Sequence, residues 1–121
     1  MGRRGRTREK LRAPTKSYAD SAGNVLVLRG SFTAGARREY AETLAGTGTR
    51  AAATREDAWQ RAVELLFEHL AVRWSIAGAP PIDRPRELLA RLRVASPTER
   101  AWVREVLREH CAEWFPDVEA P

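Results

Sequence analysis

Residues 54–81 carry the longest amphipathic pattern in the chain, and this pattern limits the fold more than any other feature. Its large apolar side chains recur every three or four residues, so they would line one side of an α-helix. They are Trp59, Val63, Leu66, Leu70 and Trp74. We predict that the helix begins after a capping Thr54 and ends near residues 74–76, because Gly78 breaks it and Pro80-Pro81 cannot continue it. One face must then be covered, either by this chain or by a partner.

Length and composition predict one small soluble domain. A chain of 121 residues buries about two-thirds of the surface that it exposes when unfolded, which is enough for a single core. No apolar run approaches the roughly 18 residues that span a membrane, so we expect no membrane partner. The basic N-terminus has no apolar segment behind it, which argues against a signal peptide and favours a cytoplasmic location. Cys111 is the single cysteine, and its apolar neighbours predict a buried thiol without redox chemistry.

The positive charge is concentrated at the N-terminus. Residues 1–16 hold seven basic side chains and one acidic side chain, a net charge of +6, whereas the whole chain carries +5, so the remainder carries −1. We predict that residues 1–13 are a flexible basic arm in front of a single domain of residues 14–121, because they have few apolar groups to bury. The arm either contacts phosphates of nucleic acid or is a solvated leader, and we favour the leader. The candidate nucleic-acid-binding residues are Arg3, Arg4, Arg6, Arg8, Lys10 and Arg12.

A β-hairpin and a short helix are predicted before the long helix. Turn-forming residues 20–24 separate a weak strand from the β-branched run of residues 25–28, which is typical of a hairpin. Thr33 is placed to cap a helix over about residues 34–45, and Gly46 is placed to end it. The N-terminal part is therefore expected to be a small hairpin followed by a short helix.

Two further helices are predicted after the long one. Asp83 is the expected cap of the first, with Pro85 in its opening turn. Residues 96–99, Ser-Pro-Thr-Glu, have the spacing of a capping box and predict the start of the second. Residues 116–121 are expected to fray. The fold class is therefore mainly α, a small N-terminal β-hairpin followed by about four helices packed as one small domain.

No catalytic or cofactor chemistry is predicted. His69 and His110 are the only histidines, and His110 and Cys111 point about 100° apart on one helix, so joint metal ligation is awkward. We expect both histidines to be surface or half-buried side chains and expect no metal site. The recurring carboxylates are interspersed with arginines, as on solvated helix faces. They include Glu64, Glu68, Glu105 and Glu109. The four tryptophans all fall on apolar helix faces and are expected to pack in the core. We expect a protein that is not an enzyme and that has no cofactor.

The order of these elements resembles the tail assembly chaperones of long-tailed bacteriophages, particularly those of high-GC hosts. The resemblance is carried by N-V-L-V-L-R-G-S-F-T at residues 24–33, R-R-E-Y-A-E-T-L at residues 37–44, and the W-S-I helix exit at residues 74–76. Two capped helices follow, so the resemblance covers roughly residues 24–114. The arginine-rich leader and the glycine-threonine connector depart from the family pattern.

The resemblance implies a non-enzymatic role in virion assembly. Such chaperones bind the tape measure protein and help to recruit tail tube subunits to it, and the resemblance leaves open whether this chain forms a homo-oligomer. In physical terms we expect apolar and aromatic anchors that a helical client covers. The candidate protein-binding residues are Trp59, Leu66, Leu70, Arg73 and Trp74. The alternative is a small DNA-binding or regulatory protein that uses the basic arm.

Overall fold

A computed structural model describes residues 14–46 and 55–121 and shows a mainly α fold with an N-terminal hairpin, as predicted. Its elements are the strands β1 (Thr15–Ala19) and β2 (Val25–Arg29), the helices α1 (Ala34–Leu44) and α2 (Arg55–Leu70), the strand β3 (Ala71–Ser75), and the helices α3 (Pro85–Arg93) and α4 (Pro97–Trp114). The predicted cap Thr54 and the basic arm of residues 1–13 lie outside the described residues. Four helices and one sheet thus make up the described fold.

The hairpin turn is built around one aspartate. Asp20 Oδ1 accepts hydrogen bonds from the backbone N–H groups of Ala22 and Asn24, both at 2.9 Å. Gly23 has a φ of 88°, which side-chain-bearing residues rarely adopt. These local bonds hold β1 and β2 antiparallel, with Tyr18 opposite Leu26. The predicted turn and hairpin are confirmed.

The predicted end of the long helix is wrong. Helix α2 ends at Leu70, and the next five residues form β3, which pairs antiparallel with β2 and places Trp74 opposite Leu26. Trp74 therefore lies on a strand, and the prediction that all four tryptophans lie on helices is wrong for this one. The physical reason is the open second edge of β2, because residues 71–75 satisfy its backbone groups by pairing. A backbone bridge between Trp74 and Ile82, at 2.8 and 2.9 Å, extends this pairing beyond β3.

One continuous hydrophobic core joins the sheet to the helices. Several of its largest fully buried side chains come from the sheet, from α1 and from α2. Those from these three elements are Trp74, Tyr40, Phe67, Leu26, Leu28, Leu66 and Leu70. Phe67 meets the edge of Trp74 with ring centroids 5.8 Å apart. Cys111 of α4 is also buried, as predicted, and burial raises the pKa of its thiol to about 11.

The helix caps follow local sequence rules with one exception. Thr33 Oγ1 accepts the backbone N–H of Ala36 at 3.1 Å, and the Ser96–Glu99 capping box is complete, so both predicted caps are confirmed. Asp83 is not the cap of α3: Arg84 occupies that position without a side-chain hydrogen bond. The following Pro85 has no backbone N–H, so the first turn of α3 has one fewer donor to satisfy.

The C-terminal residues are attached to the domain, contrary to the prediction that they fray. Tyr40 Oη donates a hydrogen bond to the carbonyl oxygen of Glu119 at 2.6 Å. Arg108 Nε donates to the backbone oxygen of Pro121 at 3.1 Å, and Pro121 is buried. Polar side chains of α1 and α4 thus hold a segment whose own composition predicts disorder.

Candidate functional site

The predicted protein-binding residues do not form one surface. Leu66 and Leu70 are fully buried and Trp74 is 1% exposed, so in this conformation none of the three offers surface to a partner. Arg73 is exposed and lies opposite Val27, whereas its neighbour Trp74 points into the core. Only Trp59 and Arg73 remain accessible, and they lie on different elements.

The cation beside Trp74 is Arg91 and not Arg73. The Arg91 guanidinium lies 5.2 Å from the centroid of the Trp74 ring and also pairs with Glu99 at 2.5 Å. Trp74 therefore has its aromatic and cationic partners within this chain.

The half-buried Trp59 borders a groove between α2, α3 and α4. Helix α2 contributes Trp59, Gln60, Val63 and Glu64, helix α3 contributes Leu92 and Arg93, and helix α4 contributes Arg100 and Arg104. Val63 and Leu92 are buried and form an apolar floor. The pocket volume of about 100 Å³ is below the roughly 300 Å³ at which sites for drug-sized ligands begin, so it suits one anchoring side chain.

Three arginines surround this apolar floor in different bonding states. Arg93 Nε donates to Glu64 Oε1 at 2.7 Å, so its charge is neutralised locally. The Arg104 guanidinium lies over the Trp59 ring, 5.1 Å from its centroid. Arg100 Nη2 donates to the backbone oxygen of Arg93 at 2.5 Å. Three cations against one carboxylate leave the groove with an excess of positive charge.

Sequence reasoning found Trp59 but missed the arginines beside it. Arg100 and Arg104 stand four residues apart and therefore share a face of α4, which was a visible signal. The sequence contains many arginines at such spacings, and only the packing of α4 against α2 shows which pair meets an aromatic side chain. The nucleic-acid candidates from Arg3 to Arg12 lie outside the described residues.

A second polar cluster is enclosed and joins the sheet to α4. His110 is fully buried, whereas the sequence predicted a surface or half-buried side chain. Its Nε2 is 2.9 Å from the carbonyl oxygen of Arg29, and its Nδ1 is 2.7 Å from Tyr18 Oη. A carbonyl only accepts, so Nε2 carries the proton and Tyr18 donates to Nδ1. Burial lowers the pKa of His110 and raises that of Tyr18 to about 12, which keeps both neutral.

This cluster is a structural junction, because the imidazole is covered on all sides. Trp114 stacks on His110 with ring centroids 5.6 Å apart and an interplanar angle of 26°. Phe115 packs edge-on against the same ring at 5.7 Å. A buried imidazole with two hydrogen bonds and three aromatic neighbours, Tyr18 among them, joins the end of β2 to α4. The groove beside Trp59 is therefore the accessible candidate site.

Within residues 14–46 and 55–121, no group of three or more His, Cys, Asp or Glu side chains is placed to hold a metal ion. No helix in the described part of the chain combines the length and the apolar character of a membrane span.

In comparisons with known proteins, no family model, no curated protein and no solved structure matched this chain.

Proposed function

We propose that this chain is a non-enzymatic binding protein, a tail assembly chaperone of a phage or prophage that acts in the host cytoplasm. Its clients would be the tape measure protein and, through it, the tail tube subunits. The observation that carries the binding role is the groove in which half-buried Trp59 contacts Arg104, with Arg100 beside them, above an apolar floor.

The composition of this groove supports a protein partner. Tryptophan and arginine are the residue types most enriched among those that dominate protein–protein affinity. Trp59 is held between helices, so its ring would lose little conformational freedom on binding. The buried Val63 and Leu92 would form the bottom of a pocket for one client side chain.

The resemblance to tail assembly chaperones supports the particular client. The strand Val25–Arg29, the helix Ala34–Leu44 and the tryptophan-bearing exit after α2 occur in the order on which the resemblance is based. The exit itself is a strand in this chain, and it presents Trp74 to the core. The groove at Trp59 therefore replaces Trp74 as the proposed client contact.

Co-expression with the proposed client, a tape measure protein, tests this function. We expect the wild-type chain to keep the client soluble and to co-purify with it, and the Trp59→Ala variant to lose most of this binding while remaining folded. Trp102→Ala is the matched control, because Trp102 is also half-buried but does not line the groove.

Two results would count against the proposal. One is a client that stays insoluble and does not co-purify with the wild-type chain. The other is binding of duplex DNA that weakens steeply with salt and disappears when residues 1–13 are deleted, which would favour the regulatory alternative.

A further inference from the structure

We infer that the groove beside Trp59 selects an acidic helical segment with two carboxylates one turn apart and an apolar residue next to them. This inference rests on the proposed binding function and names the chemistry of the client segment. Its basis is the position of two guanidinium groups, those of Arg100 and Arg104, at the edge of an apolar pocket.

These two guanidinium groups are the ones open to an incoming anion. Arg93 already pairs with Glu64, whose side chain is 29% exposed. In the part of the chain that the structure describes, neither Arg100 nor Arg104 has a carboxylate oxygen within 4.0 Å. An external carboxylate would therefore gain a charged partner without first breaking an ion pair of this protein.

Both guanidinium groups are also oriented before any ligand arrives. The Trp59 ring supports one face of Arg104, which leaves the N–H edge of that planar group available for a carboxylate. Arg100 donates one N–H to the backbone oxygen of Arg93, and its other N–H groups remain available to a carboxylate. Fixing the two cations in advance lowers the entropy lost on binding.

The spacing of the two arginines specifies a helical partner. Residues four apart on a helix are separated by about 6 Å along the axis, because each residue rises 1.5 Å. Carboxylates at positions i and i+4 of another helix have the same separation, so each can meet one guanidinium. An apolar side chain at i+3 lies on the same face and would enter the pocket above Val63 and Leu92.

The same geometry disfavours nucleic acid as the occupant. Base stacking needs an open aromatic face, and Arg104 covers one face of Trp59. The floor of Val63 and Leu92 is apolar, so it suits an apolar side chain of a carboxylate-bearing helix better than a sugar-phosphate backbone.

Fluorescence anisotropy with a labelled peptide tests the inference on the full chain. The probe is an alanine-based helical peptide of roughly 18 residues, long enough to be partly helical alone, with glutamates at i and i+4 and leucine at i+3. We expect the same peptide with glutamines at those positions to bind about tenfold more weakly. Arg100→Gln and Arg104→Gln should each weaken binding of the acidic peptide about five- to tenfold, since each removes a charged hydrogen-bonding partner.

The controls separate a specific site from general positive charge. Arg86→Gln removes one exposed arginine of α3 that does not line the groove, and it should leave binding unchanged. The Arg104→Glu variant should bind the peptide with lysines at i and i+4 better than the peptide with glutamates at those positions. Thermal midpoints of all variants within the error of the wild type would show that they are folded.

The inference would be overturned if the acidic peptide did not bind, or if the acidic and glutamine peptides bound equally well. It would also be overturned if Arg100→Gln and Arg104→Gln bound the acidic peptide with full affinity, or if a single-stranded oligonucleotide competed for the same arginines. If the wild type and both variants hold the tape measure protein equally, the proposed function stands and the acidic selectivity is wrong. If the acidic peptide binds as expected but no client is held, the proposed function is wrong and the selectivity of the groove stands.

Discussion

Replacement of His110 by phenylalanine tests the physical account of the junction between the sheet and α4. The substitution keeps a planar ring of similar size, so packing against Trp114 and Phe115 is largely retained. It removes two hydrogen bonds and leaves the Arg29 carbonyl and the Tyr18 hydroxyl without their present partner. Each buried polar group left unpaired costs about 1–3 kcal/mol, so for the two groups we expect a loss of about 2–6 kcal/mol in the free energy of unfolding at pH 7.5.

The same residue predicts how the stability of the wild type depends on pH. Burial lowers the pKa of His110 in the folded state below its unfolded value of about 6.5. The Arg29 carbonyl and Glu113 raise this pKa and Lys16 lowers it further, but the effect of burial is the largest. Between these two pKa values the unfolded chain binds more protons than the folded chain. The contribution of His110 to stability is therefore independent of pH above about pH 6.5. It falls as the pH falls below that value, by up to about 1.4 kcal/mol for each unit of pKa difference.

Urea unfolding between pH 5 and pH 7.5 measures both effects, since most carboxylates stay ionised over this range. The wild type should lose stability toward pH 5, and His110→Phe should be less stable but nearly independent of pH. His69→Gln is the matched control, because the His69 side chain is 34% exposed and its replacement should leave the pH dependence in place. The reasoning is refuted if His110→Phe is as stable as the wild type, or if it keeps the full pH dependence.

Three further substitutions test the core, a close contact and a cap. Trp74→Ala should cost about 3–5 kcal/mol in urea unfolding, because it empties a fully packed site; an unchanged midpoint would show that Trp74 is not core. Gly30→Ala should cost about 1–3 kcal/mol, since a Cβ there would lie 2.5 Å from the Trp114 ring, and Trp114→Leu should relieve most of that cost in a double-mutant cycle. Ser96→Ala should lower the thermal midpoint by removing about 1 kcal/mol of cap energy, and Thr98→Ala, in the first turn of the same helix, should cost less.

The correctly predicted elements are those whose bonds close within a few residues. The Asp20 turn, the Thr33 cap and the Ser96–Glu99 capping box each join groups two to four positions apart, so their partners can be read along the chain. The buried Cys111 was predicted equally well, because apolar residues at helical spacing surround it. In each case the energy depends on neighbours in sequence, which are always present.

Apart from the Asp83 cap, the incorrect predictions concern residues whose partners are distant in sequence. Residues 71–75 continue the apolar spacing of α2, yet they leave the helix because β2, more than 40 residues earlier, offers an unpaired edge. The C-terminal residues are polar and proline-rich, yet Tyr40 holds them from 79 positions away. The candidate groove depends in the same way on α4 packing beside Trp59.

By itself, the sequence determined the mainly α class, the hairpin, the helix starts at Ala34 and Pro97, and a small hydrophobic core. The tertiary structure decided that Trp74 belongs to the core, that His110 is buried, and that Trp59 lines a groove with Arg100 and Arg104. The reason is physical. Local hydrogen bonds and side-chain periodicity are encoded over a few residues, whereas the exposure of a side chain depends on which distant element covers it.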